Sequence, residues 1–347
     1  MNLPLTPETQ RRANASEQVE RAASGEFTHS TLQVGTMASG QPITLPLLVA
    51  KGRAEGPVLW LNGAVHGDEI NGILAISDFM AGLDCNNLAG TVVATPISNP
   101  TALDARRKRV PQDDQDLDQS FPGSDAGMLA QLLAHAVFDG IRQSADVVVN
   151  FHTMNPLFSS MPYAVYKDAG DGAPGESDIL GAVSQFSPFV ACRMSVTSAS
   201  ELPGNNAGAL DYQCLKLGKL AFMIELGAGS QQQPDCIRSG VDGLQRLAGH
   251  LGMISANATK PGPIRRVTRR THVFGHQGGF FRQHAAAGTT LPAGQPLGLI
   301  QDVAGNILET ITFSQDVQVI GIRNDPVVHS GDRVGFVGLE WDDWHGQ

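Results

Sequence analysis

Two residues that can bind a metal ion, His66 and Glu69, stand three positions apart in a glycine-containing turn. An imidazole and a carboxylate at this H-x-x-E spacing can converge on one cation. The spacing alone is a weak signal, because a lone His–Glu pair is more often a hydrogen bond at the surface. Three features strengthen it: the turn follows the apolar run 58–61, glycines beside it permit close approach, and suitable partners follow two other apolar runs.

The first partner is His152, which ends the apolar run 147–151. A histidine at a strand end projects into the crevice beyond the sheet, and strand alternation puts Asn150 on the same face, where its amide can orient the imidazole. The alternative is a core histidine whose hydrogen bonds are satisfied. Two histidines and one carboxylate, with a fourth position left to water, are the ligands of a catalytic zinc ion. We therefore predict one Zn²⁺ per chain, bound by His66, Glu69 and His152.

The second partner is Glu225, which follows the apolar run 220–224. A carboxylate at such a place is costly to bury without a cation or a hydrogen-bond donor. Beside a metal ion it can take a proton from water and pass it to a leaving nitrogen. We predict Glu225 as this general base. Glu201 is the competing carboxylate, but no strand precedes it, and it ranks below Glu225.

The segments that must position these residues alternate between two patterns of apolar side chains. Strand-like runs cover residues 45–50, 58–61, 91–96, 145–151 and 220–225, and helix-like runs cover residues 8–24, 70–76 and 128–141. Such alternation predicts an α/β domain whose largely parallel sheet is flanked by helices. In sheets of this kind, functional sites form where strands end and loops begin.

The pattern changes near residue 262, where short β-like runs separated by glycines begin. This change predicts a small all-β barrel or sandwich at the C-terminus. We expect a zinc-dependent catalytic domain over residues 1–262, with an N-terminal extension over residues 1–25. A small β domain then covers residues 263–347.

The composition excludes several kinds of partner. With 34 acidic and 24 basic residues the net charge is -10, which argues against a nucleic-acid partner, because phosphate binding needs concentrated lysine and arginine. The four cysteines are scattered and form no C-x-x-C pair, so neither a disulfide framework nor a cysteine zinc site is expected. Neither a secretory signal nor a membrane-spanning run is visible. We expect a cytoplasmic protein that acts on a small molecule. The sequence leaves open whether the chain forms a homo-oligomer.

The ordered set of motifs resembles the succinylglutamate desuccinylase/aspartoacylase family. The stretches that carry the resemblance are residues 62–69, 99–100, 116–123, 151–153 and 225–227. The set is far more specific than any one piece, and the resemblance spans roughly residues 40–340. It implies a zinc carboxypeptidase-like fold with a mixed, largely parallel sheet, together with the zinc ligands and base named above. It also implies hydrolysis of an amide between an acyl group and an amino acid or similar amine.

The chain departs from the family pattern at two places. The family's Asp-Leu-Asn-Arg reads Asp116-Leu117-Asp118-Gln119 here. By the resemblance, Asp118 and Gln119 stand where the family binds a substrate carboxylate, yet they cannot supply a guanidinium fork. Either another cation does so, or the substrate lacks a carboxylate there. The second departure is Asn150, where the family has Asp; an amide accepts the imidazole N–H without adding negative charge.

The resemblance also implies a cation ahead of this run that stabilises the oxyanion. Counting without a gap selects Lys108, whereas a shift of one residue selects Arg109. Either cation can stabilise a tetrahedral oxyanion. The alternative for each is a basic turn exposed to solvent.

Residues 273–339 resemble the small biotinyl/lipoyl-type barrel that many members of the family carry. A carrier domain needs a lysine on an exposed hairpin, and no lysine follows Lys260, which excludes a swinging-arm role. We interpret this region as a structural or assembly module at the entrance of the active site. Four histidines in it lack convergent spacing and are interpreted as surface residues: His272, His276, His284 and His329.

The sequence thus predicts a zinc-dependent hydrolase that deacylates an N-acyl amino acid or a related small N-acyl amine. Two alternatives stay open. A metallocarboxypeptidase acting on a small peptide is weakened, like the first hypothesis, by the missing Asn-Arg pair. A catalytically silent scaffold is disfavoured because His66, Glu69, His152 and Glu225 are all present.

Overall fold

The computed structural model describes residues 14–197, 206–255 and 262–346. Up to residue 255 the strands are β1 (Glu26–Thr36), β2 (Pro42–Lys51), β3 (Ala54–Asn62), β4 (Ala89–Thr95), β5 (Val147–Met154), β6 (Phe158–Ser160), β7 (Tyr163–Lys167), β8 (Ala191–Met194) and β9 (Leu220–Ala228). The helices are α1 (Ala15–Arg21), α2 (Asn71–Ala81), α3 (Pro100–Ala105), α4 (Leu129–Ser144), α5 (Glu176–Ser184), α6 (Leu210–Leu215) and α7 (Pro234–His250). Two short 3-10 helices cover Leu117–Gln119 and Asn206–Gly208.

From residue 264 the chain forms strands, which we call the C-terminal β unit. They are β10 (Ile264–Phe274), β11 (Gly279–Gln283), β12 (Thr289–Leu291), β13 (Pro296–Gln301), β14 (Ile307–Thr312), β15 (Val317–Arg323), β16 (Val327–Val328) and β17 (Arg333–Trp344). Four of them make a separate sheet in the order β14-β13-β11-β16. This unit has its own apolar cluster, which includes Phe281, Leu297, Ile300 and Val334.

The centre of the molecule is the parallel set β4-β3-β5-β9. All eight residues of β5 are buried, because helices cover both faces of the sheet. Parallel strands end at the same edge, and the register pairs Asn62 with Asn150 and His152 with Glu225. Side chains that follow β3, β5 and β9 therefore lie close together at this edge.

Helices pack closely on opposite faces of these strands. Trp60 of β3 contacts α4 at Gly140, and Phe151 of β5 contacts α2 at Gly72. A Cβ at either glycine would overlap the neighbouring aromatic side chain, so both positions need glycine. Both aromatic side chains are almost fully buried, which stabilises the fold by about 1.5–3 kcal/mol each.

The central sheet continues on both sides of the parallel set. Its full order is β1-β2-β4-β3-β5-β9-β7-β8-β10-β17-β15-β12, with β6 paired to β15. Strand β10 of the C-terminal β unit pairs parallel with β8 at Arg266 and Val267. The unit is therefore hydrogen-bonded into the same sheet as the predicted site.

The predicted α/β fold class, with a mixed sheet, flanking helices and a second all-β sheet, is confirmed. The predicted helix over 8–24 corresponds to α1 in the described part of the chain, since residues 1–13 lie outside it. The boundary predicted at residue 262 adjoins residues 256–261, which also lie outside the described ranges, and it stays a prediction. None of the helices in the described ranges is long and apolar enough to cross a bilayer.

Candidate functional site

The turn after β3 brings His66 and Glu69 together. Ala64 has a positive φ of 44°, and a Cβ at Gly67 would overlap the backbone of Ala102, so the turn lies directly against α3. The Nδ1 atom of His66 lies 2.7 Å from Oε1 of Glu69. The two side chains are only 6% and 9% exposed, so this pair is not a surface hydrogen bond.

His152 reaches the same carboxylate from the end of β5. Its Nδ1 atom lies 2.9 Å from Oε2 of Glu69, and the backbone N–H of Thr153 donates to that oxygen at 3.1 Å. The rings of His66 and His152 meet edge to face, with centroids 5.1 Å apart. Ligand atoms of His66, Glu69 and His152 all lie within 4.8 Å of one another, so the cluster could bind one metal ion.

The opposite nitrogen of each imidazole is held by a second polar side chain. Nε2 of His66 lies 2.9 Å from Oδ1 of Asp116, and Nε2 of His152 lies 2.9 Å from Nδ2 of Asn150. The amide of Asn150 is fixed in turn, because Asn62 donates to its oxygen at 2.9 Å. Both Nδ1 atoms are thereby directed toward Glu69. Oδ1 of Asp116 can accept the Nε2–H of His66, as the outer partner of a metal-binding histidine does, whereas the amide N–H of Asn150 faces Nε2 of His152, so the expectation that Asn150 accepts the imidazole N–H is wrong.

The charges of the cluster favour bound positive charge. Burial opposes ionisation of Glu69, but the two imidazoles outweigh it and hold the pKa of Glu69 well below its usual range. Burial also disfavours an imidazolium, yet Glu69 and Asp116 raise the pKa of His66 to about 10. The pKa of His152 is raised against the same opposing burial, chiefly by Glu69. Two imidazole nitrogens and a carboxylate in this field fit a zinc ion.

Glu225 lies beside this cluster at the end of β9. Its register partners are His152 on β5 and Tyr163 on β7. Oε2 of Glu225 is buried and has no hydrogen-bond partner among the described residues. Burial and the charge of Glu69 raise the pKa of Glu225 to about 7, while His152 and a hydrogen bond with Tyr163 oppose the shift. A carboxyl group with this pKa can both accept and donate a proton near neutral pH.

A cavity of about 430 Å³ opens onto these four residues. All four residues predicted to bind substrate line it as well: Lys108, Arg109, Asp118 and Gln119. The competing carboxylate Glu201 lies outside the described residues.

The two basic candidates differ in what they contact. Nζ of Lys108 lies 3.8 Å from Oδ2 of Asp116, the residue that holds His66. Arg109 instead donates to the backbone oxygen of Asp114 at 3.1 Å and lies 3.8 Å from its carboxylate. Lys108, through Asp116, is therefore the cation linked to His66 of the candidate metal site.

Asp118 contributes a carboxylate to the cavity wall. Its buried Oδ1 atom accepts no hydrogen bond within the described ranges, although Nε2 of His152 lies 3.8 Å away. Burial raises the pKa of Asp118, although the charges of His152 and Lys167 oppose the shift. Lys167 itself is engaged, because its ammonium donates to both oxygens of Asp211 at 2.6 and 2.7 Å.

Sequence reasoning missed several residues of this site. Asp116 begins the motif in which only Asp118 and Gln119 were predicted to bind substrate. Its side chain accepts from the N–H of Asp118 and caps the 3-10 helix. Tyr163 had no local signal. The interpretation of His272 as a surface residue is wrong: it lines the cavity and stacks on Phe336, with centroids 4.8 Å apart. The histidines His276, His284 and His329 are exposed, as expected.

Sequence comparisons identify known proteins that are similar to the chain. The sequence profile of the succinylglutamate desuccinylase/aspartoacylase catalytic domain matches residues 55–251. The chain is 24% identical over 301 residues to N-alpha-acetyl-L-2,4-diaminobutyric acid deacetylase from Halomonas elongata. The aligned stretch covers 85% of each protein.

Solved structures share the fold over almost the whole chain. The product-bound ectoine utilization protein EutE (DoeB) from Ruegeria pomeroyi has a TM-score of 0.79 and 22% identity, covering 92% of this chain and 98% of that one. A succinylglutamate desuccinylase/aspartoacylase from Rhodobacter sphaeroides has a TM-score of 0.79 and 22% identity, covering 94% and 98%. These likenesses confirm the fold that the motifs predict.

Proposed function

Because the chain belongs to the succinylglutamate desuccinylase/aspartoacylase family, we propose that it is a zinc-dependent deacylase that hydrolyses the amide bond of a small N-acyl amino acid. The family consists of amide-hydrolysing deacylases. One observation carries the proposal: Nδ1 of His66, Nδ1 of His152 and the carboxylate of Glu69 converge beside a buried, unpartnered oxygen of Glu225. A metal site and a base are then adjacent at one edge of the sheet.

His66, Glu69 and His152 would hold the zinc ion. When bound, zinc supplies Lewis acidity, which polarises an amide carbonyl and lowers the pKa of water from about 15.7 toward about 7. Asp116 keeps the imidazole of His66 in the orientation that presents Nδ1, because its carboxylate can accept the Nε2–H.

Glu225 carries the proton in this mechanism. In its ionised form Oε2 takes a proton from the attacking water, and the same carboxyl then donates it to the departing nitrogen. Its pKa of about 7 suits both steps, because neither the gain nor the loss of the proton is strongly disfavoured. Lys108 stabilises the negative charge that develops on the carbonyl oxygen.

The substrate that we propose first is an Nα-acetyl diamino acid such as Nα-acetyl-L-2,4-diaminobutyrate, the compound that appears in the name of the Halomonas elongata relative. Asp118 supports this choice. A buried carboxylate oxygen that accepts no hydrogen bond is unfavourable, and the ammonium group of a diamino acid would supply the donor that His152, 3.8 Å away, does not.

The proposal is tested by zinc content and turnover together. Zinc per chain is measured first, and then wild type and Glu225→Gln are compared on Nα-acetyl-L-2,4-diaminobutyrate, N-acetyl-L-aspartate, N-succinyl-L-glutamate and a set of dipeptides. Release of acetate or succinate by wild type, lost in the variant with zinc retained, supports a deacylase. Cleavage of dipeptides alone would favour the carboxypeptidase, and zinc without any turnover would favour the silent scaffold.

A further inference from the structure

The C-terminal β unit supplies one side of the catalytic cavity. Four of its residues line that cavity, and we call them the β wall: Arg270, His272, Arg333 and Phe336. They come from the paired strands β10 and β17, in which His272 lies opposite Phe336. Two arginines in this wall bring positive charge to a cavity whose other side carries Asp116, Asp118 and Glu225.

Arg333 is held in place by groups that do not neutralise it. Its guanidinium carbon lies 4.8 Å from the ring centre of Phe158, and Nη1 lies 3.3 Å from Nδ1 of His272. Burial, together with the charges of Arg333 and Arg270, lowers the pKa of His272 to about 4, so this imidazole is neutral near pH 7 and accepts the hydrogen bond. Within the described ranges no carboxylate forms an ion pair with Arg333.

Other arginines of the β unit are paired with acids. Arg266 lies 2.6 Å from Asp342, Arg269 lies 2.7 Å from Glu340, and Arg323 lies 3.5 Å from Asp332. Arg282 has no such pair among the residues that the structure describes, but it is exposed to water. Arg333 is different because it is only partly exposed and lies on the cavity.

A partly buried guanidinium without an anion is unfavourable, since it loses water and gains no charged partner. Burial indeed lowers the pKa of Arg333, and the charges of Tyr163 and Glu225 only partly oppose this. The planar fork of an arginine matches a carboxylate through two parallel hydrogen bonds. The rings of Phe158 and His272 hold the guanidinium in place but do not supply the two acceptor oxygens of a carboxylate.

We infer that Arg333 binds the carboxylate of the amino-acid part of the substrate. The β unit would then supply the guanidinium that position 119 cannot, because that position is glutamine. The inference rests on the proposed function for the identity of the substrate. It predicts that the enzyme selects N-acyl amino acids with a free carboxylate over the corresponding amides.

Binding is measured first, in zinc-loaded Glu225→Gln protein, so that the substrate is not consumed. The probes are Nα-acetyl-L-2,4-diaminobutyrate and its carboxamide, titrated by calorimetry with and without Arg333→Met. Loss of a charged hydrogen-bonded pair should weaken binding of the acid roughly 10- to 100-fold. Binding of the carboxamide should not change. Arg333→Lys should restore part of the acid's affinity, and Arg282→Met should have no effect.

Turnover by the zinc-loaded enzyme separates this inference from the proposed function. Arg333→Met in an otherwise wild-type chain should raise KM for the acid far more than it lowers kcat. Equal losses for acid and carboxamide would overturn the inference, because Arg333 would then act on the reaction centre. An acid that binds no tighter than its carboxamide, or no binding at all, would overturn it as well. A carboxylate preference that depends on Arg333, without any hydrolysis by wild type, would leave the inference standing and refute the proposed function.

Discussion

Two sides of one cavity are built in different ways. The strand-end wall, formed by His66, Glu69, His152 and Glu225, lies at the carboxyl edge of three parallel strands. Both of its imidazoles have partners on both ring nitrogens. The β wall lies on an antiparallel pair of strands, and its Arg333 has no carboxylate partner in the described ranges.

The difference indicates a division of tasks. Groups that perform chemistry need a fixed geometry, which the strand ends and their supporting side chains provide. Groups that recognise a substrate must keep hydrogen-bonding capacity available until the substrate arrives. Changes in the strand-end wall should therefore affect metal binding and the chemical step, whereas changes in the β wall should affect selection of the substrate.

The sharpest test of this division is Glu225→Gln. The amide keeps the shape of the side chain but cannot accept the proton, so kcat should fall by roughly 10²- to 10⁴-fold. Zinc content, measured by mass spectrometry, and substrate affinity should stay as in wild type. Arg333→Met should do the reverse and act mainly on KM. A Glu225→Gln variant that keeps the kcat of wild type would show that Glu225 is not the general base.

Lys108→Met tests whether the loop beside the strand-end wall takes part in the reaction. If Lys108 stabilises the oxyanion, kcat should fall by roughly 10²- to 10³-fold. Arg109→Met is the matched control, because Arg109 is bonded to Asp114 and should matter little. The two variants are compared by steady-state kinetics on one substrate. The opposite ranking would assign the role to Arg109.

The pH dependence of kcat/KM should report Glu225. The base must be ionised, so kcat/KM should fall by about tenfold for each pH unit below the pKa of Glu225. That pKa is about 7 without a metal ion, and the positive charge of bound zinc lowers it, so the acidic limb should lie at or below pH 7. A profile measured from pH 5 to 8 that stays flat would contradict the assignment.

The smallest expected effect concerns the support of His152. Asn150→Asp adds negative charge next to Nε2, which should make the imidazole a stronger ligand and tighten zinc binding by about tenfold. Asn150→Ala removes an N–H that faces Nε2 and supplies no acceptor, so it should leave zinc affinity unchanged. Competition with a chromogenic chelator measures both. Unchanged zinc affinity in both variants would mean that Asn150 supports the sheet rather than the metal ligand.

The two walls were not equally visible in the sequence. His66, His152 and Glu225 each follow an apolar run, and the rule that parallel strands end at one edge was enough to bring them together. The fold class and the strands β3, β4, β5 and β9 followed from the same local patterns. The roles assigned to these side chains stay predictions until they are tested in solution.

The β wall gave no comparable signal. Arg333 follows Glu225 by more than one hundred residues and begins a strand whose neighbours show only short β patterns. Its place in the cavity depends on β10 pairing with β8, a contact between distant segments that no local pattern encodes. His272 was misjudged for the same reason, because convergent spacing along the chain is not needed when strands from different parts of the sheet meet.

We expect His66 and His152 to bind one zinc ion through their Nδ1 atoms, together with a carboxylate oxygen of Glu69. The most direct measurement is a crystal structure of the zinc-loaded protein with anomalous diffraction recorded at the zinc absorption edge. We expect one peak per chain, about 2.0–2.1 Å from both Nδ1 atoms and about 2.0–2.2 Å from an oxygen of Glu69. The absence of a peak there, or a zinc ion bound elsewhere, would contradict it.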